Sequence, residues 1–262
     1  MIPKIIHYCW FGEKELGENE RKCIASWKKF LPDYEIRLWN EENYNINKNK
    51  YIQQAYKEKK YAFVSDYVRF DVIYQYGGIY FDTDVEVIKK IDDIIKQGAF
   101  MGREAGIAKL AVAPGLGIGA EAGHPFYKEV LDYYNTLTFI KADGSYNMVT
   151  VVNYITNLLL QYGLKDVQDV QDVRGIKIYP EDYFCPMHSW TKEVTITENS
   201  RTIHHYAATW ISDEQKKMNE EIKRLSKYVG TFLAGVLIVY KYEYRKNGIK
   251  GMINITKKKI LN

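Results

Sequence analysis

The sequence is poor in the residues and motifs that mark several common protein classes. Only three cysteines occur, Cys9, Cys23 and Cys185, an odd number with no CxxC pair. This argues against both a disulfide framework and a structural zinc site, and it fits a reducing compartment. No GxGxxG follows the first predicted strand and no P-loop motif is present. Rossmann dehydrogenases and P-loop nucleotide hydrolases are therefore set aside.

Secretion signals and long apolar runs are missing as well. The segment Met1–Trp10 is interrupted by Pro3 and His7, and no small-residue cleavage site follows it, so no secretion signal is expected. The uncharged stretch Tyr228–Tyr240 has thirteen residues, fewer than the roughly 20 that a helix needs to cross a bilayer. These features predict a cytoplasmic protein.

The charge is placed unevenly along a chain of otherwise globular composition. Of 262 residues, 46% are apolar and 27% charged, and the net charge is +4. Residues 213–262 contain 12 Lys/Arg and 5 Asp/Glu, a net +7, which leaves −3 for residues 1–212. We predict one domain over 1–212 and a basic helical appendage over 213–262. Because no nucleic-acid motif accompanies the basic part, an anionic membrane surface is its favoured partner.

Hydrophobic periodicity predicts an α/β protein. Strands are expected at 2–8, 34–39, 79–81, 177–179 and 193–196, and helices at 18–30, 51–76 (one helix or a pair), 125–137, 149–162 and 214–227. Gly77-Gly78 ends the long helical stretch, and the short strand Ile79–Phe81 then runs into an acidic motif. In open α/β sheets, the ligand crevice lies at the carboxyl ends of strands, where this motif falls.

The acidic motif is Asp82-Thr83-Asp84. Two carboxylates at positions i and i+2 of an extended segment point to the same side and can reach one hard cation. Such a cation stabilises the negative charge that develops on a departing diphosphate. By itself the motif is weak evidence, because two surface acids near each other are common.

The surrounding sequence is more specific. Ala62–Lys89, AFVSDYVRFDVIYQYGGIYFDTDVEVIK, resembles the signature of the DXD-containing sugar-binding glycosyltransferases, glycosyltransferase family 32. This family groups bacterial capsular and lipopolysaccharide transferases with yeast initiating α-mannosyltransferases, and the clostridial glucosylating toxins are similar more distantly. The resemblance extends to Ile2–Trp10 and to His204-His205-Tyr206 followed by Trp210, and so covers roughly residues 1–212.

The resemblance implies a fold and a chemistry. The expected fold is of the GT-A type, a nucleotide-sugar-binding, Rossmann-like mixed sheet flanked by helices. The expected reaction is transfer from a nucleotide sugar, with UDP as the default nucleotide, with retention of anomeric configuration and with Mn²⁺ or Mg²⁺ as cofactor. The acceptor would be a glycan or a lipid-linked glycan in capsular or cell-surface polysaccharide synthesis. Neither the sugar nor the acceptor linkage can be read from one sequence.

Four residues carry the expected catalysis: Asp66, Arg69, Asp82 and Asp84. Asp66 and Arg69 are three positions apart and share one helix face, so they could lie near the donor or form a simple ion pair on a helix surface. The resemblance implies that Asp84 contacts the cation directly and that Asp82 serves ribose and metal. It also assigns an imidazole ligand to His205 or its neighbour His204, a ligand type that manganese accepts.

The other expected donor-binding residues are Tyr8, Trp10, Gly78 and Trp210. The aromatic rings of Tyr8 and Trp10, with Phe11, could stack on the base or simply belong to the core. Trp210 follows Thr209, where the family has Ser, and this change keeps a hydroxyl group.

Several alternatives stay open. Retention is compatible with front-face attack or with a double displacement through a carboxylate, and we favour the first because no further carboxylate is marked as a nucleophile. A nucleotide-sugar hydrolase or a non-catalytic carbohydrate- or nucleotide-binding protein are the alternative functions. The appendage could be an interfacial helix, giving a peripheral location on the inner face of the plasma membrane, or it could pack on the catalytic domain.

Overall fold

A computed structural model describes residues 1–104, 110–189, 192–207 and 213–260. The chain divides into two compact units, Met1–Ala207 and Ala208–Asn262. The predicted boundary at 212/213 falls close to this division, while the assignment of catalysis to the first part stays a prediction.

The first unit alternates strands and helices along the chain. Its strands are β1 (Ile5–Cys9), β2 (Glu35–Trp39), β3 (Gly78–Tyr80), β4 (Val85–Val87), β5 (Phe100–Gly102), β6 (Ile118–Ala120), β7 (Gln171–Val173), β8 (Ile176–Tyr179) and β9 (Thr202–His204). Its helices are α1 (Glu18–Phe30), α2 (Lys50–Lys57), α3 (Tyr61–Tyr76), α4 (Asp92–Ile95), α5 (Pro125–Asn135), α6 (Val151–Gln161) and α7 (Glu181–Phe184).

Seven strands form one mixed sheet in the order β2-β1-β3-β6-β5-β8-β7. Strand β1 is parallel to β2 and β3, β6 runs antiparallel to both β3 and β5, and β5 is parallel to β8. Strands β4 and β9 make a separate two-stranded sheet. The predicted α/β class, with a mixed sheet flanked by helices, is confirmed.

Strand β1 forms where the sequence is apolar without alternation, and Ile6, Tyr8 and Cys9 are all buried. A strand in the middle of a sheet is covered on both faces, which is why such a run suits it. Its polar member is His7, whose Nδ1 accepts a hydrogen bond from the Trp39 indole at 3.0 Å, so that Nε2 carries the proton and donates to the Gly77 carbonyl at 2.8 Å. Burial lowers the pKa of His7 to about 4 and keeps the ring neutral.

The helical stretch before the acidic motif is a pair of helices, one of the two arrangements that its periodicity predicted. Helix α2 begins after Asn49, whose side chain accepts from the N–H groups of Tyr51 and Ile52. Helix α3 ends at Gly77, which has φ +65°, and leads directly into β3. At Gly78, φ is +105° and a Cβ would lie 2.7 Å from the Ile5 carbonyl oxygen, so the close approach of β1 requires glycine here.

The strand predicted at 193–196 is wrong. Within the described residues, this segment makes only an isolated bridge between Val194 and Met187. Val194 and Ile196 are 42% and 53% exposed. The alternating pattern of this segment therefore has no buried face to pair with, and a regular strand does not form.

The second unit contains α8 (Asp213–Val229) and α9 (Thr231–Ile260). The backbone of α9 is non-helical at Gly248, where the helix is kinked. Ile222 of α8 packs with Ala234 and Ile238 of α9. Among the described residues, no helix combines the length and the apolar character needed to span a bilayer.

Candidate active site with an Asp-Asp-His group

The two aspartates of the motif lie in a tight turn immediately after β3. The Phe81 N–H still donates to the His7 carbonyl at 3.2 Å, and the Val85 N–H closes the turn on the Asp82 carbonyl at 3.1 Å. The side chains of Asp82 and Asp84 come together with that of His204, and one ligand atom from each lies within 4.8 Å of the others. This turn, rather than an extended segment, is what brings the two carboxylates together.

His204 reaches this group because β9 pairs antiparallel with β4, which places His204 opposite Val85. Its Nε2 lies 3.2 Å from Oδ1 of Asp84. The next residue, His205, points elsewhere, and its Nε2 lies 2.9 Å from the Glu86 carboxylate. Successive side chains of a strand alternate in direction, so only one of the two histidines can face the aspartates. The structure gathers His204 into the group and leaves His205 outside it.

The charges of the group suit a cation. Burial raises the pKa of Asp84, but His204 and the Ala207 N–H, 2.8 Å from Oδ2, outweigh burial and bring the pKa down to about 2. Burial likewise lowers the pKa of His204, and the carboxylates of Asp84, Asp82 and Glu104 more than reverse this. Asp84 is therefore ionised at neutral pH, as a ligand of a divalent ion must be.

Asp66 and Arg69 are buried rather than paired on a helix surface, with 9% and 4% of their areas exposed. A guanidinium nitrogen of Arg69 lies 2.9 Å from Asp66 and 3.2 Å from Asp82. The Tyr80 hydroxyl donates to the same Asp82 oxygen at 2.9 Å. The sequence left an isolated surface ion pair open, but Arg69 joins the helix acid to the acidic motif.

The Asp66 carboxyl also joins two helices. It accepts from the Val151 N–H in the first turn of α6, where the positive end of the helix dipole favours a negative group. Burial nevertheless raises the pKa of Asp66 to about 7, opposed by Arg69 and reinforced by Asp82. Asp66 thus sits where α3, α6 and the acidic motif meet.

Gly115 is a site residue that the sequence reasoning did not identify. Its carbonyl accepts the Asp82 N–H at 3.1 Å, which fixes the turn. A Cβ at this position would overlap the Asp82 carboxylate and lie 3.2 Å from Nη1 of Arg69. The only signal was the run of glycines from 115 to 123, which does not say which glycine approaches the aspartates.

Tyr206 and Glu104 were likewise not assigned a role from the sequence, and they lie behind His204. The rings of Tyr206 and His204 are 4.3 Å apart, and the Tyr206 hydroxyl is 2.8 Å from the Cys185 sulfur. The same hydroxyl forms a hydrogen bond with Glu104, whose pKa is raised by burial. Tyr206 also has φ +52°, a left-handed conformation that is uncommon outside glycine. These contacts orient the His204 ring.

Of the remaining predicted donor residues, the three that the structure describes do not belong to this group. Tyr8 is 8% exposed and packs edge-on against Trp27 at 5.7 Å, so its position is that of a core residue. Trp10 is half-buried and donates from its indole to the Lys14 carbonyl at 2.5 Å. Gly78 begins β3, at the opposite end of the strand from the motif. Trp210 lies outside the described residues.

A cavity of about 390 Å³ opens beyond the C-terminal end of β1. Gly12, Glu13, Tyr56, Lys57, Lys59 and Tyr61 line it. Tyr61, at the start of α3, and Arg69 are two helical turns apart, an axial rise of about 12 Å. Aromatic and basic side chains thus line a cavity at the N-terminal end of α3.

Comparison with known proteins agrees with these features. Residues 17–101, which include α3 and the acidic motif, match the family described as "Glycosyltransferase sugar-binding region containing DXD motif". Inositol phosphoceramide mannosyltransferase 3 of Schizosaccharomyces pombe is 30% identical over 143 residues, 50% of this chain and 36% of that protein. Mannosyl phosphorylinositol ceramide synthase SUR1 of Saccharomyces cerevisiae is 26% identical over 253 residues, 92% of this chain and 60% of that protein.

The chain spans between about a third and three-fifths of the length of these two yeast relatives. Among solved structures, a glycosyltransferase involved in glycosylation of the major capsid of PBCV-1 shares 13% identity at a TM-score of 0.44, over 83% of this chain and all of that chain. The match of residues 17–101 includes Asp66, Arg69, Asp82 and Asp84. Over residues 17–101 the chain is thus similar to the glycosyltransferases whose sugar-binding region contains a DXD motif.

Proposed function

We propose that this protein moves a hexose or N-acetylhexosamine from a nucleotide sugar, with UDP as the default nucleotide, onto a glycan acceptor in a cation-dependent, retaining reaction. The observation that carries the proposal is the group of Asp82, Asp84 and His204, with ligand atoms within 4.8 Å of one another. Its ligand set, two carboxylates and one imidazole, fits Mn²⁺ well and Mg²⁺ less well, because Mg²⁺ prefers oxygen ligands alone.

The cation would supply charge neutralisation for the departing diphosphate. The side chains of the protein would provide further, fixed charges. Arg69 is held by Asp66 and Asp82, so its positive charge is fixed beside the acidic motif before any donor arrives. A preformed charge costs no reorganisation during the reaction, which is why it favours the transition state.

The cavity beyond β1 supports a nucleotide donor. Tyr56 and Tyr61 have ring centroids 5.5 Å apart, and Lys57 and Lys59 stand beside them. Aromatic faces suit a base, and lysines suit phosphate oxygens. We therefore place the base in this cavity rather than on Tyr8, which is buried in the core.

Front-face attack accounts for retention with the groups present. The acceptor hydroxyl oxygen bonds to the anomeric carbon as the bond from that carbon to the phosphate oxygen breaks, and the hydroxyl proton passes to the leaving diphosphate. Asp66 and Asp82 are both engaged by Arg69, and Asp84 by His204 and Ala207, so each carboxylate has a role other than attack on carbon. A glycosyl-enzyme adduct trapped in mass spectrometry would overturn this mechanism.

The names of the relatives support a lipid-linked acceptor. One yeast protein is named an inositol phosphoceramide mannosyltransferase and the other a mannosyl phosphorylinositol ceramide synthase. We extend this to a lipid-linked glycan acceptor for the present chain, in capsular or cell-surface polysaccharide synthesis. The proposed location is cytoplasmic, peripheral on the inner face of the plasma membrane, with membrane contact through residues 213–262.

The test is donor turnover measured with a panel of nucleotide sugars, with and without Mn²⁺, first alone and then with a soluble glycan acceptor. We expect a cation-dependent glycosidic product that forms only when acceptor is present. Equal release of free sugar with and without acceptor would identify a hydrolase. Binding of a donor without any turnover would identify a non-catalytic binding protein.

A further inference from the structure

Helix α9 buries one face against α8. Ala234 and Ile238 are 0% and 7% exposed and pack against Ile222 of α8. Tyr242 continues this face, and its hydroxyl donates to Glu221 at 3.3 Å. The two helices therefore form a hairpin with a small apolar core of its own.

A second row of apolar side chains runs along α9 and stays exposed. Leu233, Leu237 and Tyr244 are 47%, 48% and 54% exposed, and their spacing of four and seven residues puts them on one side of the helix. Tyr228 and Val229, 82% and 38% exposed, lie at the turn of the hairpin. We call these five residues the outer stripe. Among the described side chains, none of the core clusters includes them.

The charges next to the hairpin turn have one sign. From Ile222 to Tyr240 the chain contains Lys223, Arg224 and Lys227 and no acidic residue. All three are exposed on the last turns of α8. At the far end of the outer stripe, Lys241 pairs with Glu221, and Glu243 precedes Tyr244. An apolar stripe beside an all-basic turn is complementary to a surface that is negative outside and apolar beneath.

We propose that the outer stripe is a docking surface for an anionic lipid bilayer, with Leu233 and Leu237 entering the acyl boundary and the lysines contacting lipid phosphates. This inference rests on the membrane contact in the proposed function and names the surface that makes it. The tyrosines lie at both ends of the stripe, and a ring with a polar hydroxyl is suited to the headgroup level.

Two observations favour a bilayer over a second copy of the chain. Pairing two outer stripes in parallel would bring the basic turns of both hairpins close together, which is unfavourable. The segment of α9 from Thr231 to the kink at Gly248 is about 25 Å long. Because the exposed leucines of this segment share one side of the helix, it is suited to lie along an interface.

The experiment is co-sedimentation of the full-length protein with two kinds of vesicle, phosphatidylcholine alone and phosphatidylcholine with about one third phosphatidylglycerol. The variant is Leu233→Glu/Leu237→Glu, and the matched control is Leu160→Glu, which changes a leucine of α6 that is 46% exposed. Transfer to a soluble acceptor without vesicles checks folding of all variants and tests the proposed function separately.

We expect the wild-type protein and Leu160→Glu to bind anionic vesicles and the double variant to bind at least about tenfold more weakly. Lys223→Glu/Arg224→Glu/Lys227→Glu should weaken binding about a hundredfold, and added salt should weaken the wild type. Equal binding of the double variant and the wild type would overturn the proposal. Absence of wild-type binding to either kind of vesicle would also overturn it. So would a wild-type dimer that becomes a monomer in the double variant.

Discussion

The acidic site and the C-terminal hairpin use their side chains in opposite ways. In the site, polar groups from distant parts of the chain are buried and held by specific partners, as Asp84 is by His204 and the Ala207 N–H. In the hairpin, contacts are between neighbouring helices, and apolar side chains such as Leu233 and Leu237 are left exposed. The acidic site therefore depends on the positions of its polar groups, whereas the hairpin surface depends on which residue types it exposes.

This difference predicts how the two regions respond to substitution. A change that keeps size and shape should still disable the acidic site, because charges and ligand atoms act there at fixed distances. In the hairpin, a similarly small change should have little effect, and only a change of polarity or charge should matter. The variants below are designed to separate these two kinds of dependence.

The largest effect is expected for Asp84→Asn, which keeps the shape of the side chain and removes its charge. We expect transfer to fall by about 10²–10³-fold, the loss typical of a removed charge-stabilising group. Glu86→Gln is the control, because Glu86 is an acid of the same segment that pairs with His205 outside the group. Its rate should stay within about twofold of the wild type. Steady-state kinetics with saturating Mn²⁺ makes the comparison.

A smaller effect is expected for Gly115→Ala. The new methyl group would overlap the Asp82 carboxylate, so the turn must shift, at a cost of about 1–3 kcal/mol in stability and about tenfold or more in transfer. Gly235→Ala in α9 is the matched control, because a Cβ there meets no atom within 4 Å. It should stabilise its helix by about 0.5–1 kcal/mol. Urea unfolding would give the stability of both variants, and transfer assays would give their rates. Equal effects of the two substitutions would contradict the contrast between the acidic site and the hairpin.

The two adjacent histidines offer a sharper comparison within the site. His204→Gln should raise the Mn²⁺ concentration needed for half-maximal rate by about tenfold, since one ligand is lost. His205→Gln should leave that concentration unchanged, because its ring faces Glu86. A larger effect of His205→Gln than of His204→Gln would show that His205 is the metal ligand. The register of β9 against β4 would then differ from the one described.

The last prediction concerns Asp66 and the pH dependence of stability. Its pKa is raised to about 7 in the folded protein, against 3.8 for the ordinary side chain. The folded state therefore keeps a proton that the unfolded state loses. The contribution of this proton to the free energy of unfolding is complete below pH 4. It falls by up to about 1.4 kcal/mol per pH unit as the pH rises toward 7 and stays constant above that. Asp66→Asn should lack this decline when urea unfolding is followed across the range. The same pH dependence of the unfolding free energy in both proteins would refute this prediction.

The sequence predicted much of the fold because its signals are local. The apolar run of β1 and the glycines at 77 and 78 each act on neighbouring residues, so those elements could be placed. The strand at 193–196 failed because alternation says nothing about whether a buried face exists, and Val194 and Ile196 are exposed.

The site was only partly predictable for a related reason. The family resemblance identified Asp82 and Asp84 as site residues. Their position after a strand predicted that they lie at the ligand crevice of the sheet. The choice between His204 and His205 depends on the register of β9 against β4, which one sequence does not reveal. The role of Gly115 depends on a tertiary approach to Asp82. The base-stacking role considered for Tyr8 rested on residue type alone, and the ring lies in the core.

The most direct test of the central proposal is Mn²⁺ binding measured by electron paramagnetic resonance on the wild type, Asp84→Asn and Glu86→Gln in the presence of UDP. We predict one bound ion in the wild type and in Glu86→Gln and none at the same concentrations in Asp84→Asn. Undiminished binding by Asp84→Asn would contradict the assignment of this group as the metal site.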